Sequence, residues 1–335
     1  MLSLKITKKL AMFVVEEGIP DPTKDQVRIK VSYVGICGSD LHYYYEGANG
    51  AFVVNEPLVP GHELSGTVDL DPEAIFPTGA RITVHPARFG EPLPGLESRP
   101  HLWPKGSYLG SASTTPHTQG AMSQYMIVDR SMIRLIPDTL SLRGAALCEP
   151  MGVALHAMSV ADGVTDKRIL VSGSGPIGLM VVAAAKILGA AGITASDVLA
   201  GPLARATQMG ADSTIRKGKD QIPTDDFDVV FECSGAARAL SSALISVRKA
   251  GIVVQVGMLA AGDQPIAIAP LVSKEIQLRG TFRFDTEIDS AIDLVAKNPW
   301  IEQAITHTFP LEEAISAFEM AKNSEDSGKV LIELQ

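Results

Sequence analysis

Cysteine is scarce: the 335 residues hold three, at positions 37, 148 and 233. They lie far apart and are odd in number, which excludes a disulfide framework and fits a reducing, cytoplasmic compartment. Basic residues are also short. Lys and Arg total 29 against 38 Asp and Glu, for a net charge of −9. A general nucleic-acid binder would show a basic face, so that class of partner is excluded. No apolar run approaches the roughly 18 residues needed to span a bilayer. The short apolar patch from Ala11 to Val15 carries no cleavable-signal pattern, so no membrane partner is expected. Internal repeats and low-complexity segments are absent. What remains is ordinary for a globular chain, with 46% hydrophobic and 20% charged residues. The length predicts about two domains, with ample chain to bury a core.

The most informative stretch is Val34-Gly35-Ile36-Cys37-Gly38-Ser39-Asp40-Leu41-His42. It concentrates a thiol, a hydroxyl, a carboxylate and an imidazole. Pro60-Gly61-His62-Glu63-Leu64-Ser65-Gly66 adds a second imidazole and a second carboxylate. Catalytic zinc is tetrahedral, takes S, N and O donors, and leaves one of its positions open to substrate. Cys37, His62 and Glu63 would supply three ligands. The local chemistry alone leaves a plainer reading open, since a lone cysteine is commonly a small buried hydrophobe and the spacing is not diagnostic.

Gln26 to Val34 alternates, with Val27, Ile29, Val31 and Tyr33 on one side, and predicts a half-buried strand. Further short strands broken by Pro and Gly, at Leu64 to Leu70 and Ala80 to His85, predict a β-rich barrel-like unit. From Pro86 to Gly120 proline and glycine alternate, which predicts a long irregular lobe. His101 and His117 lie in it and read as surface or hydrogen-bonding residues. Gln124 to Val128 reads as a strand. Leu142 to Ala161 reads as helical, with Pro150 marking a break or start beside Glu149.

At Lys167 the pattern changes. A short apolar strand, Ile169-Leu170-Val171, is followed by Gly173-Ser174-Gly175-Pro176-Ile177-Gly178, an apolar helix through Leu188, and a second strand ending at Asp197. This is the dinucleotide-binding fingerprint in its required context. The first glycine makes the turn, the second admits the pyrophosphate, and the third lets helix and strand pack closely. The helix N-terminus offers free N–H groups to the phosphates. Asp197 can accept from both adenosine ribose hydroxyls and would repel a 2′-phosphate. No arginine immediately follows it, which favours NAD over NADP.

Alternation of strands and helices continues through Phe227–Phe231, Ala236–Val247, Gly251–Val256 and Ile276–Gly280. A parallel, doubly wound sheet is predicted, with the cofactor at the carboxyl ends of its strands. Val256, Gly257 and Met258 end one strand, and Thr281, Phe282 and Arg283 follow another, so these positions should face cofactor or substrate. For Met258 and Phe282 plain core packing is the alternative. Glu287 to Ala296 and Leu311 to Lys322 read as amphipathic helices, and Lys329 to Leu334 as a final strand.

Taken together, Gly-Ile-Cys-Gly-Ser-Asp-Leu-His, Gly-His-Glu, Cys-Glu-Pro and Gly-x-Gly-x-x-Gly, in this order over essentially the whole length, resemble the zinc-containing medium-chain dehydrogenase/reductase family. Cys37 to Tyr45 and Leu278-Arg279-Gly280-Thr281-Phe282-Arg283-Phe284 are similar to its polyol dehydrogenase branch. The resemblance implies an α/β fold with a GroES-like β-rich catalytic domain (1–145 and 285–335) and an inserted Rossmann domain (146–284). It implies Cys37, His62 and Glu63 as zinc ligands, with Glu149 near the metal, bound directly or through water. Ser39 then takes the substrate proton, His42 relays it to solvent, and Asp40 orients His62. Tyr43 and Arg283, with Glu149, would face the substrate, a small polyol or sugar acid oxidised by hydride transfer to NAD. Many relatives carry four closely spaced cysteines in the lobe. This chain has none there, so one catalytic zinc per chain and no structural zinc are expected. A homodimer or homotetramer is expected. A zinc-free reductase of the same superfamily and a non-catalytic nucleotide-binding protein are the rival readings.

Overall fold

The computed structural model describes residues 1–335, in two compact units. The first comprises Met1–Glu149, Ile288–Asn323 and Lys329–Gln335; the second comprises Pro150–Glu287 and Ser324–Gly328. The crossings thus fall at 149/150 and 287/288, against the expected 145/146 and 284/285.

The first unit is built on a seven-stranded sheet. Strand Gln26–Gly35 lies at its centre, pairing antiparallel with Glu63–Leu70, Tyr125–Asp129 and Lys329–Glu333. Arg81–Val84 and Ile133–Leu135 extend one side, and Ile305–Pro310 the other. Val27, Ile29, Val31 and Val34 are fully buried. Tyr33 does not join them as simple alternation predicts. The register with Glu63–Leu70 shifts between Val31 and Tyr33, and a bulge of this kind re-aims the residues beyond it. Tyr33 instead donates its hydroxyl proton to Glu333 at 2.8 Å.

The proline- and glycine-rich lobe is irregular, as its composition predicts, holding only the 3-10 turn Pro100–Leu102 and a two-residue pairing of Ala87–Arg88 with Ser107–Tyr108. It is tied down within the unit. His117 is buried, accepts the Asn55 N–H at Nε2 (3.1 Å), and shares Nδ1 with the Thr114 carbonyl at 2.9 Å. The lobe's last residue, Gly120, donates its N–H to the Val59 carbonyl at 2.7 Å, and just beyond it the Ala121 and Met122 N–H groups bond the Gly61 and Pro60 carbonyls, each at 3.0 Å. The lobe therefore grips the loop that precedes His62.

The predicted helix from Leu142 to Ala161 is two helices, Leu142–Ala145 and Cys148–Val160. Pro150 sits in the first turn of the second, where its missing N–H has no intrahelical partner to lose.

The second unit holds a six-stranded, all-parallel sheet. Its order is Ser213–Arg216, Gly192–Asp197, Arg168–Ser172, Phe227–Glu232, Val247–Gln255, Gln277–Gly280. The chain leaves Arg168–Ser172 in one direction and returns on its other side at Phe227–Glu232. This reversal is the switch point at which doubly wound sheets bind ligands. Leu170, Val230 and Val253 pack with Leu240 and Leu244 of helix Ala237–Ser246 to form the core on one face. No helix in the chain is long and apolar enough to cross a membrane.

Candidate active site

In the first unit the sheet register brings the metal candidates together. Glu63 stands opposite Gly35 on the neighbouring strand, and Gly35 is also opposite Leu331 of the C-terminal strand. A Cβ on Gly35 would lie 2.1 Å from Glu63 Oε2, so only glycine leaves room for that carboxylate. Two residues past Gly35 the strand gives way to helix Gly38–Glu46, with Cys37 as its N-cap. Ligand atoms of Cys37, His62 and Glu63 all lie within 4.8 Å of one another.

Asp40 is fully buried and joins the two halves. One oxygen accepts the Cys37 N–H at 2.9 Å and the other the Gly61 N–H at 3.0 Å. It therefore fixes the backbone that leads into His62. His62 is 6% exposed, and its Nδ1 has no hydrogen-bond partner. Burial works against a charge on this ring, but the Cys37 sulfur and the nearby carboxylates outweigh it and raise its pKa to about 10. Soft sulfur, an imidazole with an unpartnered nitrogen and a carboxylate, all converging, fit a tetrahedral zinc ion with one open position.

Two neighbours escaped the sequence reading. Lys329 is 2% exposed and donates to Glu63 at 2.7 Å (Oε1), while its Nζ lies 2.6 Å from Oε2. It also donates to the Ile36 carbonyl at 3.1 Å. Burial disfavours its charge, yet Glu63 and Cys37 prevail and its pKa is raised. Tyr108 sets its ring edge-on to His62, centroids 5.4 Å apart, and donates its hydroxyl to Glu149 at 2.6 Å. Glu149 is 4% exposed, and burial first, then Glu63, pushes its pKa up. It is near His62 electrostatically but outside the three-ligand group.

Ser39 and His42 are three apart on helix Gly38–Glu46, hence on one face. The Ser39 hydroxyl is buried with no partner, while His42 is exposed with Nδ1 3.1 Å from Glu46. Tyr43 is 1% exposed, and its hydroxyl accepts the Ala112 N–H at 3.1 Å and meets Ser111 Oγ at 3.3 Å.

In the second unit the glycine turn has the predicted form. Gly173 adopts φ +96°, where an L side chain is strained. A Cβ on Gly178 would lie 2.0 Å from the Gly173 carbonyl, while one on Gly175 would meet nothing within 4 Å. The third glycine is thus needed for packing, and the second keeps a space open, which fits a pyrophosphate over the start of helix Pro176–Ile187. Pro176 and Ile177 open that helix. Asp197 accepts the Ser174 N–H at 2.8 Å and the Leu199 N–H at 3.0 Å, which fixes its carboxylate beside the turn.

The neighbouring strand ends lie in register. Val256 and Gly257 N–H groups both bond the Glu232 carbonyl at 2.8 Å. Met258 is 77% and Phe282 41% exposed, which excludes core packing for both. The Arg283 guanidinium lies 4.7 Å from the Phe282 ring centre. Thr281 bonds the Gln255 carbonyl through its N–H, and its hydroxyl has no partner.

A sulfur–imidazole–carboxylate group on a β-rich unit and a glycine turn at the switch point of a parallel sheet define a zinc-type, nucleotide-dependent dehydrogenase. The chain belongs to the zinc-containing medium-chain dehydrogenase/reductase family, in its alcohol and polyol dehydrogenase division. Residues 23–138 match the alcohol dehydrogenase GroES-like domain, and residues 176–297 match the zinc-binding dehydrogenase domain. Sorbitol dehydrogenase of Gallus gallus is 34% identical over 328 residues, covering 92% of this chain and 89% of the relative. L-idonate 5-dehydrogenase (NAD(P)(+)) of Escherichia coli K12 is 33% identical over 315 residues, covering 92% and 90%. The crystal structure of L-idonate 5-dehydrogenase from Escherichia coli K-12 matches with a TM-score of 0.93 at 30% identity, covering 99% of this chain and 98% of that one.

Proposed function

We propose that the protein oxidises a secondary alcohol of a sugar acid or polyol to a ketone, L-idonate to 5-keto-D-gluconate being the favoured reaction. The convergence of Cys37, His62 and Glu63 within 4.8 Å carries this reading. Zinc held there would acidify the substrate alcohol, and nicotinamide would accept its hydride. Cys37, His62 and Glu63 would hold the ion, with Lys329 positioning the Glu63 carboxylate. Ser39 Oγ accepts the alcohol proton as it releases its own toward His42. His42, exposed on the same helix face, passes it to solvent, as an imidazole can near neutral pH. Glu149, held by Tyr108, stands beside the ligand group and orients substrate or water.

In the second unit Gly173, Gly175 and Gly178 seat the pyrophosphate, and Asp197 accepts from the ribose hydroxyls, so NAD is preferred. Val256, Gly257, Met258, Thr281, Phe282 and Arg283 line the nicotinamide end. A guanidinium matches a carboxylate in bidentate fashion, which favours a sugar acid at Arg283. Sorbitol, xylitol or a butanediol are the alternatives, supported by the names of the sorbitol dehydrogenases and of the Bacillus subtilis 2R,3R-butanediol dehydrogenase, whose crystal structure matches at TM-score 0.87 and 27% identity. The ligand group of Cys37, His62 and Glu63 and the lobe without cysteines support one zinc per chain. The mostly exposed edge strand Gln277–Gly280 suits pairing in a homodimer or homotetramer. Three unpaired cysteines support a cytoplasmic location.

A screen of aldonates and polyols with NAD, with and without a zinc chelator, tests this. Chelator-sensitive NADH formation, strongest with L-idonate, is expected. Turnover insensitive to chelator points to a zinc-free reductase, and NADH binding without turnover on any alcohol points to a non-catalytic protein.

A further inference from the structure

Strand Phe227–Glu232 stands across the switch point from the strand that leads into the glycine turn, with Glu232 in register with Ser172. Glu232 is fully buried, where a charged residue is almost never found without partners. Its carboxylate accepts four bonds, two at each oxygen. Oε1 takes the Ser234 N–H at 2.9 Å and the Ser234 hydroxyl. Oε2 takes the Gly235 N–H at 3.0 Å and Gln255 Nε2 at 2.5 Å. The half-buried Lys217, which donates to Ser172 Oγ at 2.7 Å, lies within electrostatic reach. Gln255, in register with Glu232 on the next strand, also donates from Nε2 to the Gly257 carbonyl at 2.7 Å.

These bonds converge where three glycines bring backbone against backbone. A Cβ on Gly173 would lie 2.7 Å from the Ser234 nitrogen, one on Gly235 2.3 Å from the Met258 carbonyl oxygen, and one on Gly257 2.3 Å from the Gly235 nitrogen. Gly235 turns at φ +67°, a conformation open to glycine. The turn Ser234–Gly235 is therefore wedged between the glycine turn that would seat the pyrophosphate and the strand end Val256–Met258 that would line the nicotinamide. No side chain spaces these segments, so their separation depends on directed bonds, and the bonds meet at one carboxylate. A carboxylate offers about four lone-pair sites and no donor, whereas an amide in its place turns an NH2 group toward donors it cannot accept from. Bonds to a charged acceptor are also about twice as strong as neutral ones.

We propose that Glu232 is a positioning residue for the dinucleotide: through Ser234, Gly235 and, by way of Gln255, Gly257, its carboxylate sets the spacing between the pyrophosphate seat and the nicotinamide seat. The inference rests on the reading of the glycine turn and of Val256–Met258 as the two ends of that seat, and deepens it.

The test is binding, not turnover: calorimetric titration of the purified protein with NADH, which spans both seats, and with ADP, which fills only the first. Glu232→Gln raises the ratio Kd(NADH)/Kd(ADP) by about tenfold or more, and the emission of NADH bound to it moves toward that of free NADH. Gln255→Met keeps the carboxylate and removes only the bridge to Gly257, so it raises the same ratio by less. The double variant raises it by less than the product of the two single effects, because the bridge runs through Glu232. A ratio within about twofold of the parent's in both single variants, or NADH and ADP weakened by one common factor, overturns the proposal while the dinucleotide reading stands, since a residue that only stabilises the fold lowers the melting temperature without separating the two ligands. Should Glu232→Gln not fold, as circular dichroism would show, Gln255→Met decides alone, at a half-buried site and with a side chain of similar length. Failure of the parent to bind NADH overturns the dinucleotide reading and this proposal with it.

Discussion

The buried pair Lys329–Glu63 makes a sharp energetic prediction. The side chains are 3% and 0% exposed, and the ammonium contacts both carboxylate oxygens, at 2.7 and 2.6 Å. At that burial the pair belongs with internal ion pairs, where removing one partner costs about 3–5 kcal/mol, not with surface pairs worth about 0–1 kcal/mol. Lys329→Met removes the ammonium that contacts both Glu63 oxygens and leaves the buried carboxylate without its direct partner. In chelator-treated protein, denaturant unfolding should therefore show a loss of about 3–5 kcal/mol. Zinc supplies the missing positive charge, so the loss in zinc-loaded protein should be smaller. Replacing both partners, Lys329→Met with Glu63→Leu, removes charge and counter-charge together and should recover most of the stability, with a coupling energy of about 2 kcal/mol or more between the sites. A metal-free Lys329→Met protein within about 0.5 kcal/mol of the parent would refute the reasoning, because it would mean that Glu63 needs no partner there.

Other positions give independent tests. Gly175→Ala should leave thermal stability almost unchanged, because its Cβ meets nothing within 4 Å, yet weaken NADH binding in a fluorescence titration. Gly178→Ala should do the reverse first, lowering the melting temperature, because its Cβ would lie 2.0 Å from a carbonyl oxygen. Gly35→Ala should reduce zinc affinity in a competitive chelator titration, since the new methyl displaces the Glu63 carboxylate 2.1 Å away. Asp71 accepts from Arg130 and from three backbone N–H groups, and the Arg130 bond draws its pKa down from 3.8 to about 2. A carboxylate lowered in the folded state stabilises the fold above its ordinary pKa and loses that contribution as pH falls through the folded value. Acid unfolding should therefore show this contribution vanishing between about pH 4 and pH 2, and Arg130→Met should reduce it, with the backbone N–H bonds remaining.

What the sequence disclosed was local chemistry. The cysteine, histidine and glutamate motifs, and the strand–glycine–helix–strand–aspartate order, are contiguous runs whose residue types are uncommon enough to read directly. What it hid was contact across the fold. Lys329 reaches Glu63 over 266 positions, and nothing in Gly-Lys-Val-Leu-Ile marks that lysine as buried. Tyr108 lies in a lobe whose composition predicts only irregularity. The bonds of Asp40 to the Cys37 and Gly61 backbone N–H groups were likewise hidden. The bulge after Val31 turned Tyr33 out of the predicted face. Strand Ser213–Arg216, with Ile215 its one buried residue, was too short and polar to stand out.

The central claim is that one dication joins Cys37, His62 and Glu63 and makes the chemistry possible. Metal analysis of the parent and Cys37→Ser proteins, with turnover and NADH binding measured on the same samples, tests it most directly. The account predicts one zinc per chain in the parent, and in the variant loss of zinc and of turnover with NADH binding retained. Full turnover from a Cys37→Ser protein that contains no metal would contradict it.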